Sequence, residues 1–488
     1  MKVFRTRLFL FLALLAMVVC FAPATRFSVQ SQSATLNPAQ QLARDIFQQL
    51  IEINTTDSVG DCTAAANAMA ARLKAAGFAD EDVKVLGPNP RKGNLVARLR
   101  GTGARKPILL LAHIDVVEAK REDWSFDPFK FLEQDGYYYG RGTSDDKAMA
   151  AIFIANLIRI KQEGQEGFKP DRDLIVALTA DEEGGDYNGV DWLLKNHRPL
   201  IEAEFGLNEG GGGAIRNGKK LFNSVQASEK VYQSFLLEVK NKGGHSSRPV
   251  KDNAIYQLAA GLQRLAAFDF PVSLNEVTRA YFERVSKIEG GQTGAAMKGA
   301  LQNPPDARSV AYLSAIPAYN ATMRTTCVAT MLEAGHAENA LPQTARATVN
   351  CRILPTETAE AARQTLVRVI NDSRITITPI REPKPSPPSP LAAEVMKPIE
   401  AITEQMWPGV PVIPTMSTGA TDSLYLRNTG IPVYGTSGIF GDIDDGRAHG
   451  KDERINVKSF YDGQEYLYRL VKAFTSAGAK GSQAANQR

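Results

Sequence analysis

Three short apolar runs, 108–112, 174–179 and 205–208, each stop at residues able to bind a metal or move a proton. Continuous runs of this length, bounded by polar residues, fit strands buried on both faces, as in a parallel sheet sheathed by helices. The first run, ILLLA, is followed by His113 and Asp115. The second leads into Asp181-Glu182-Glu183, and the third into Glu209 and four glycines. A single polar ending is what any strand needs in order to stop. Three of them are a pattern, because ligand sites in open α/β sheets lie beyond the carboxyl ends of the strands.

Helical patterns fill the gaps, at 40–52, 62–76 and 147–162, so strand and helix alternate as in an α/β fold. Near Ser228 the texture changes to alternating strands at 231–239, 321–331, 345–354 and 374–379, with helices at 253–267 and 359–370. A proline-rich connector, REPKPSPPSP at 381–390, precedes a return to α/β texture with a helix at 392–406 and a strand at 410–413. The expected organisation is one catalytic α/β domain in two parts, 36–227 and 385–477, interrupted by an α+β domain at 228–384. Residues 270–320 carry no clear pattern, and 478–488 read as a disordered tail.

The amino terminus reads as an export signal over residues 1–24. Lys2, Arg5 and Arg7 precede an apolar stretch from Leu8 to Ala22, and Ala22-Pro23-Ala24 supplies a small-residue cleavage site. Fifteen apolar residues are short of the ~20 a membrane span needs. An uncleaved anchor is the alternative; export to the periplasm or medium is the expectation. Removing the leader lowers the formal charge from +4 to +1, which leaves no basic surface for nucleic acid. Cys62, Cys327 and Cys351 then remain, with no C-x-x-C pair; the sequence leaves open whether Cys327 and Cys351 are bridged.

Two further segments bear on chemistry. In GRGTSDDK, 140–147, Asp145 opens a helix, and taken alone it reads as a cap or a complement to the helix dipole. In RAHGKDE, 447–453, His449 lies in a glycine-flanked loop. Of five histidines, His197 and His336 have ordinary surroundings, whereas His113, His245 and His449 sit at a strand end or beside glycine. Two histidines and several carboxylates suit a pair of zinc ions that share a bridging carboxylate and a water or hydroxide. Adjacent Glu182 and Glu183 can then divide the work, one ligating and the other acting as base.

In their order along the chain, H-x-D (113–115), G-R-G-x-x-D-x-K (140–147), D-E-E-x-G (181–185), Glu209, G-G-H-S-S-x-P (243–249) and H-G-x-x-E (449–453) carry a family resemblance. The sequence resembles the co-catalytic dizinc hydrolases that include aminoacylase, carnosinase, succinyl-diaminopimelate desuccinylase and several carboxypeptidases. The resemblance implies a dizinc-exopeptidase-like sheet with an inserted lid and dimerisation domain. It implies one zinc on His113, Asp145 and Glu209, and another on Asp145, Glu183 and His449, with Asp145 bridging. Asp115 would orient His113, Glu182 would be the general base, and His245 would reach the scissile carbonyl from the lid. Arg352 would hold the substrate carboxylate, in a pocket lined by Asn339 and the 417–422 loop with Gly419 and Thr421. The chain departs from the family at Ala148 and Ala420, where glycine is usual.

The implied activity is cleavage of a peptide or N-acyl amide bond next to a free carboxylate, of carboxypeptidase or dipeptidase type. An N-acyl-amino-acid deacylase is the alternative. Two other readings are weaker. A metal-free binding domain is at odds with the full set of ligand types, and an aminopeptidase without a lid is at odds with the GGHSS segment. The partners expected are a small peptide or N-acyl amino acid and a second copy of the chain, joined through the inserted domain.

Overall fold

The computed structural model describes residues 35–476. The expected export signal and the tail expected at 478–488 lie outside them. Ten strands form the larger sheet. At its centre, Leu174–Thr179, Ile108–His113, Phe205–Asn208 and Val433–Gly435 run parallel to one another, while Val83–Leu86 and Asn94–Leu99 extend one side antiparallel. Lys219–Glu229, Gly213–Arg216, Phe440–Asp442 and Val412–Ser417 extend the other side.

Strand alternation divides the apolar runs between two faces. Ile108, Leu110 and Ala112 join a core with the helices Pro38–Glu52, Cys62–Ala75, Lys147–Gln165 and Val457–Phe474. Leu109 and Leu111 point the other way, towards Gly189–Ile201 and Ser423–Asn428. The helix Lys147–Gln165 is buried from Lys147 through Ile158 and again at Ile160, so it lies almost wholly inside. Apolar residues on nearly all sides demand that placement.

The second sheet is antiparallel, in the order Thr326–Ala334, Thr344–Ile353, Val231–Lys240, Ile375–Pro379. Helices Ala254–Ala266 and Ala359–Ile370 cover one face and share a separate core with it. Cys327 and Cys351 stand directly opposite each other and form a disulfide. The pairing left open by the sequence is thereby shown.

Residues 276–323, which lacked a clear pattern, form four helices: Glu276–Glu289, Gly291–Ala300, Ala307–Ser314 and Pro317–Met323. They pack on the larger sheet through Phe222 and Ile413, not on the smaller one. Arg284 secures this docking by donating to the Val412 carbonyl at 2.7 Å and to Glu400 at 2.8 Å. The strand expected over 321–331 therefore begins only at Thr326. Pro317 starts a helix that runs to Met323, and burying Met323 holds that segment helical. Among the described residues, no helix is long and apolar enough to cross a membrane.

Candidate active site

His113 ends its strand in register with Thr179 of the neighbouring parallel strand. The chain beyond Thr179 brings Glu182 and Glu183 to the same edge, and the chain beyond Asn208 brings Glu209. Asp145 precedes the long buried helix, whose N-cap is Asp146 and has no side-chain capping bond. Asp145 is thus not a cap. One of its oxygens lies 2.9 Å from His113 Nε2 and the other 3.1 Å from His449 Nε2. His449 in turn lies 2.7 Å from a Glu183 oxygen.

His113, Glu182 and Glu209 present ligand atoms within 4.8 Å of one another, and so do His113, Asp145 and Glu183. His113 Nδ1 is 3.1 Å from the main-chain oxygen of Asp115 and 3.6 Å from its carboxylate. Donation from Nδ1 leaves Nε2 facing the acids. The Asp115 carboxylate also accepts from the Glu183 amide at 2.9 Å, which fixes the turn carrying both glutamates.

Negative charge is the dominant feature of this edge. Asp115, Asp145, Asp146, Glu182, Glu183, Glu209 and Asp422 surround His113 and His449. Burial pushes the Glu182 carboxyl up to about 10, with Asp422, Glu209 and Glu183 adding to the rise. Burial and Asp145 take Glu183 to about 7. Glu209 is raised well above its ordinary value by burial. Burial alone would raise Asp145 too, but the hydrogen bonds with both imidazoles hold it below the carboxylate range. His449 is raised to about 9, chiefly by its bond with Asp145. So many buried acids with two imidazoles form a donor set that fits divalent cations, which supply the missing positive charge.

The loops are held by residues whose roles the sequence did not disclose. Glu453, fully buried, accepts from the amides of Gly142, Ser144 and Asp145 and pairs with Arg141 at 2.7 Å. Arg141 also donates to the Gly450 carbonyl at 3.1 Å and lies over the Trp124 ring. One ion pair therefore binds the Asp145 loop to the His449 loop. Asp422, accepting from Thr179 at 3.1 Å and Asn188 at 2.6 Å, closes the cluster from behind. Arg141 and Glu453 both lay within quoted motifs, which was the only signal for them.

The remaining expected residues stand apart from the cluster. His245 is exposed on a two-residue strand paired with Ala340–Leu341, and its Nδ1 accepts from the amide of Ser247 at 3.2 Å. Asn339 accepts from the Ser246 amide through its main-chain oxygen. Arg352 lies over the Tyr232 ring and donates to the Thr418 carbonyl at 3.4 Å. Gly419 donates its amide to the Ser417 hydroxyl. Thr421 turns inward, giving both amide and hydroxyl to Glu229.

A catalytic α/β sheet bearing a buried acid–imidazole cluster at its carboxyl edge, with a second sheet inserted, defines a hydrolase of the peptidase and amidohydrolase class. Residues 109–473 match the model of Peptidase family M20/M25/M40, and the chain belongs to that family. It is 30% identical over 380 residues to the human N-fatty-acyl-amino acid synthase/hydrolase PM20D1, covering 75% of this chain and 74% of the relative. To the probable carboxypeptidase S-like 2 of Dictyostelium discoideum it is 32% identical over 380 residues, 75% of this chain and 71% of the other. Its fold is like that of the M20 family metallo-carboxypeptidase Sso-CP2 of Sulfolobus solfataricus. That match has a TM-score of 0.64 and 18% identity, and covers 89% of this chain and 99% of the other.

Proposed function

We propose that this enzyme is an exported, zinc-dependent hydrolase of amide bonds next to a free carboxylate. The observation that carries the reading is Asp145, whose two oxygens face two different imidazoles in a surplus of buried carboxylates. His113, Asp145 and Glu209 would hold one ion, and Asp145, Glu183 and His449 the other. Bound there, the two ions supply Lewis-acid chemistry and ease the deprotonation of water. Glu182 takes the proton from the attacking water and returns it to the departing amine nitrogen. His245 donates from Nε2 to the carbonyl oxygen, and Arg352 grips the carboxylate.

A cavity of about 890 Å³ opens beside Asp145 and Glu209, and Met149, Ile215, Phe222, Ile439 and Phe440 lie on its walls. Charged residues such as Lys220, Asp442, Arg447 and Arg454 line it as well; its size rather than its polarity admits a long acyl group, and N-acyl amino acids are the favoured substrates. The similarity to PM20D1 supports this choice. Dipeptides and C-terminal peptide bonds are the second reading, supported by the similarity to the carboxypeptidase S-like relative.

Export is supported by the Cys327–Cys351 disulfide, which suits an oxidising compartment. A homodimer through the smaller sheet is supported by its edge strand, where Val328, Met331 and Leu332 are 61–69% exposed. The test is a turnover screen of purified protein against N-acyl amino acids of increasing chain length and against dipeptides, with metal analysis and chelation. Two zinc ions per chain, activity lost on chelation and rates rising with acyl length are the expected results. Active protein holding one ion or none would refute the paired site, and preference for dipeptides would select the second reading.

A further inference from the structure

The chain passes between the larger-sheet body and the smaller sheet four times; three of the passages meet at the buried residues Glu229 and Lys230, and the fourth is tied to them through Arg324. Lys219–Glu229 belongs to the larger sheet and Val231–Lys240 to the smaller, with Lys230 alone between them. Lys230 donates from Nζ to the Arg324 carbonyl at 2.6 Å, at the passage from the helical layer into Thr326–Ala334. Arg324 pairs with Asp269 at 3.3 Å, on the passage leading into that layer. Ser386, on the proline-rich return passage, donates to Glu229 Oε1 at 2.7 Å.

Glu229 also reaches the reaction site from behind. Its Oε2 accepts from the Thr421 hydroxyl at 2.9 Å, the Thr421 amide at 3.1 Å and Gln226 at 3.1 Å. Asp422, next to Thr421, closes the acid cluster, and Thr418 in the same loop takes the Arg352 guanidinium. Gln226 is packed so closely against Gly210, the neighbour of Glu209, that a methyl group there would lie 1.9 Å from its oxygen. Arg427 partners the Glu229 carboxylate at 3.4 Å, and both side chains are shut off from solvent. A buried ion pair gives little net stability over an apolar replacement, which leaves room for a role in geometry at this junction.

We propose that Glu229 is a positioning residue that sets the angle between the two sheets, and with it the approach of His245 and Arg352 to the acid cluster. The proposal rests on the reading that those two residues act on substrate. It adds the device that brings them there.

The test uses full-length protein with spin labels at Asn196→Cys, on the larger-sheet body, and Arg368→Cys, beside the smaller sheet, both exposed. Glu229→Gln keeps the shape of the side chain and removes its charge. The expected result is a broader distance distribution with unchanged metal content, a melting temperature lowered because Arg427 is left buried and unpaired, and a kcat reduced by roughly 10²-fold, as a misplacement of about 1 Å can cause. Glu229→Asp should recover part of both. A distance distribution and kcat equal to wild type in folded Glu229→Gln would overturn the proposal. Should that variant fail to fold, Ser386→Ala removes only the return-passage bond; it should broaden the distribution, and an unchanged one would equally overturn it. If the unmutated protein hydrolyses neither N-acyl amino acids nor peptides, the functional reading fails, while the distance measurement still decides the role of Glu229.

Discussion

The two sheets deliver their chemistry in opposite ways. In the larger one, His113, Asp145, Glu182, Glu183, Glu209 and His449 meet within a single chain, fixed by buried strands and the Arg141–Glu453 pair. In the smaller one, His245 and Arg352 stand on an exposed turn and on a strand facing the 417–422 loop, clear of the acids. The first arrangement is preorganised; on the proposed reading, the second would be brought to the acids by substrate, closure or a second copy. Preorganised groups should govern the chemical step, and groups that arrive with closure should divide their effect between binding and turnover.

The sharpest way to break this contrast is Glu182→Gln. Loss of the base should lower kcat by ~10²–10⁴-fold while both metals and the fold are kept. Elemental analysis beside turnover checks this, and a variant within a few-fold of wild type would move the base elsewhere. His245→Ala comes next, with kcat reduced by about 10²–10³-fold if it supplies an oxyanion donor. Mixing it with Glu182→Gln under subunit exchange sharpens the result. Recovered activity places the histidine across a dimer; no recovery, with His245→Ala inactive and the protein monomeric, places it within one chain.

A smaller effect belongs to Arg352→Ala, about 1.5–3 kcal/mol for a charged hydrogen bond, or roughly 10–100-fold in KM. It should appear with free-carboxylate substrates and vanish with their amides. Equal losses on both would make Arg352 structural. Smallest is Tyr232→Ala, which removes the ring beneath Arg352. Such contacts contribute about 0.5–1 kcal/mol at exposed sites, so KM should rise roughly two- to five-fold, again only with carboxylates.

The same contrast explains what could be read from the sequence. Strands 108–113, 174–179 and 205–208 were legible because burial on both faces leaves an unbroken apolar signature. Their polar endings marked the functional edge. The strand Lys219–Glu229 was missed because its buried positions include Asn223, Gln226, Ser228 and Glu229, which break the apolar run; Asn223 and Glu229 find partners far along the chain. The helix Gly291–Ala300, with three glycines and little amphipathic pattern, is helical by packing against its neighbours rather than by propensity. Glu229 itself gave no local sign at all, since its partners Ser386, Thr421 and Arg427 lie more than a hundred residues away.

The Arg141–Glu453 pair spans 312 residues of chain, and the Asp145 loop hangs from it. During synthesis, the amino-terminal strands can assemble long before residue 453 has left the ribosome. A nascent chain that already displays His113, Asp145 and Glu209 still lacks His449 and the ion pair that would set its loops. Completion of the centre therefore needs contacts between residues more than three hundred positions apart. Fragments cut short before His449 and Glu453 lack a member of the cluster and the ion pair that sets its loops.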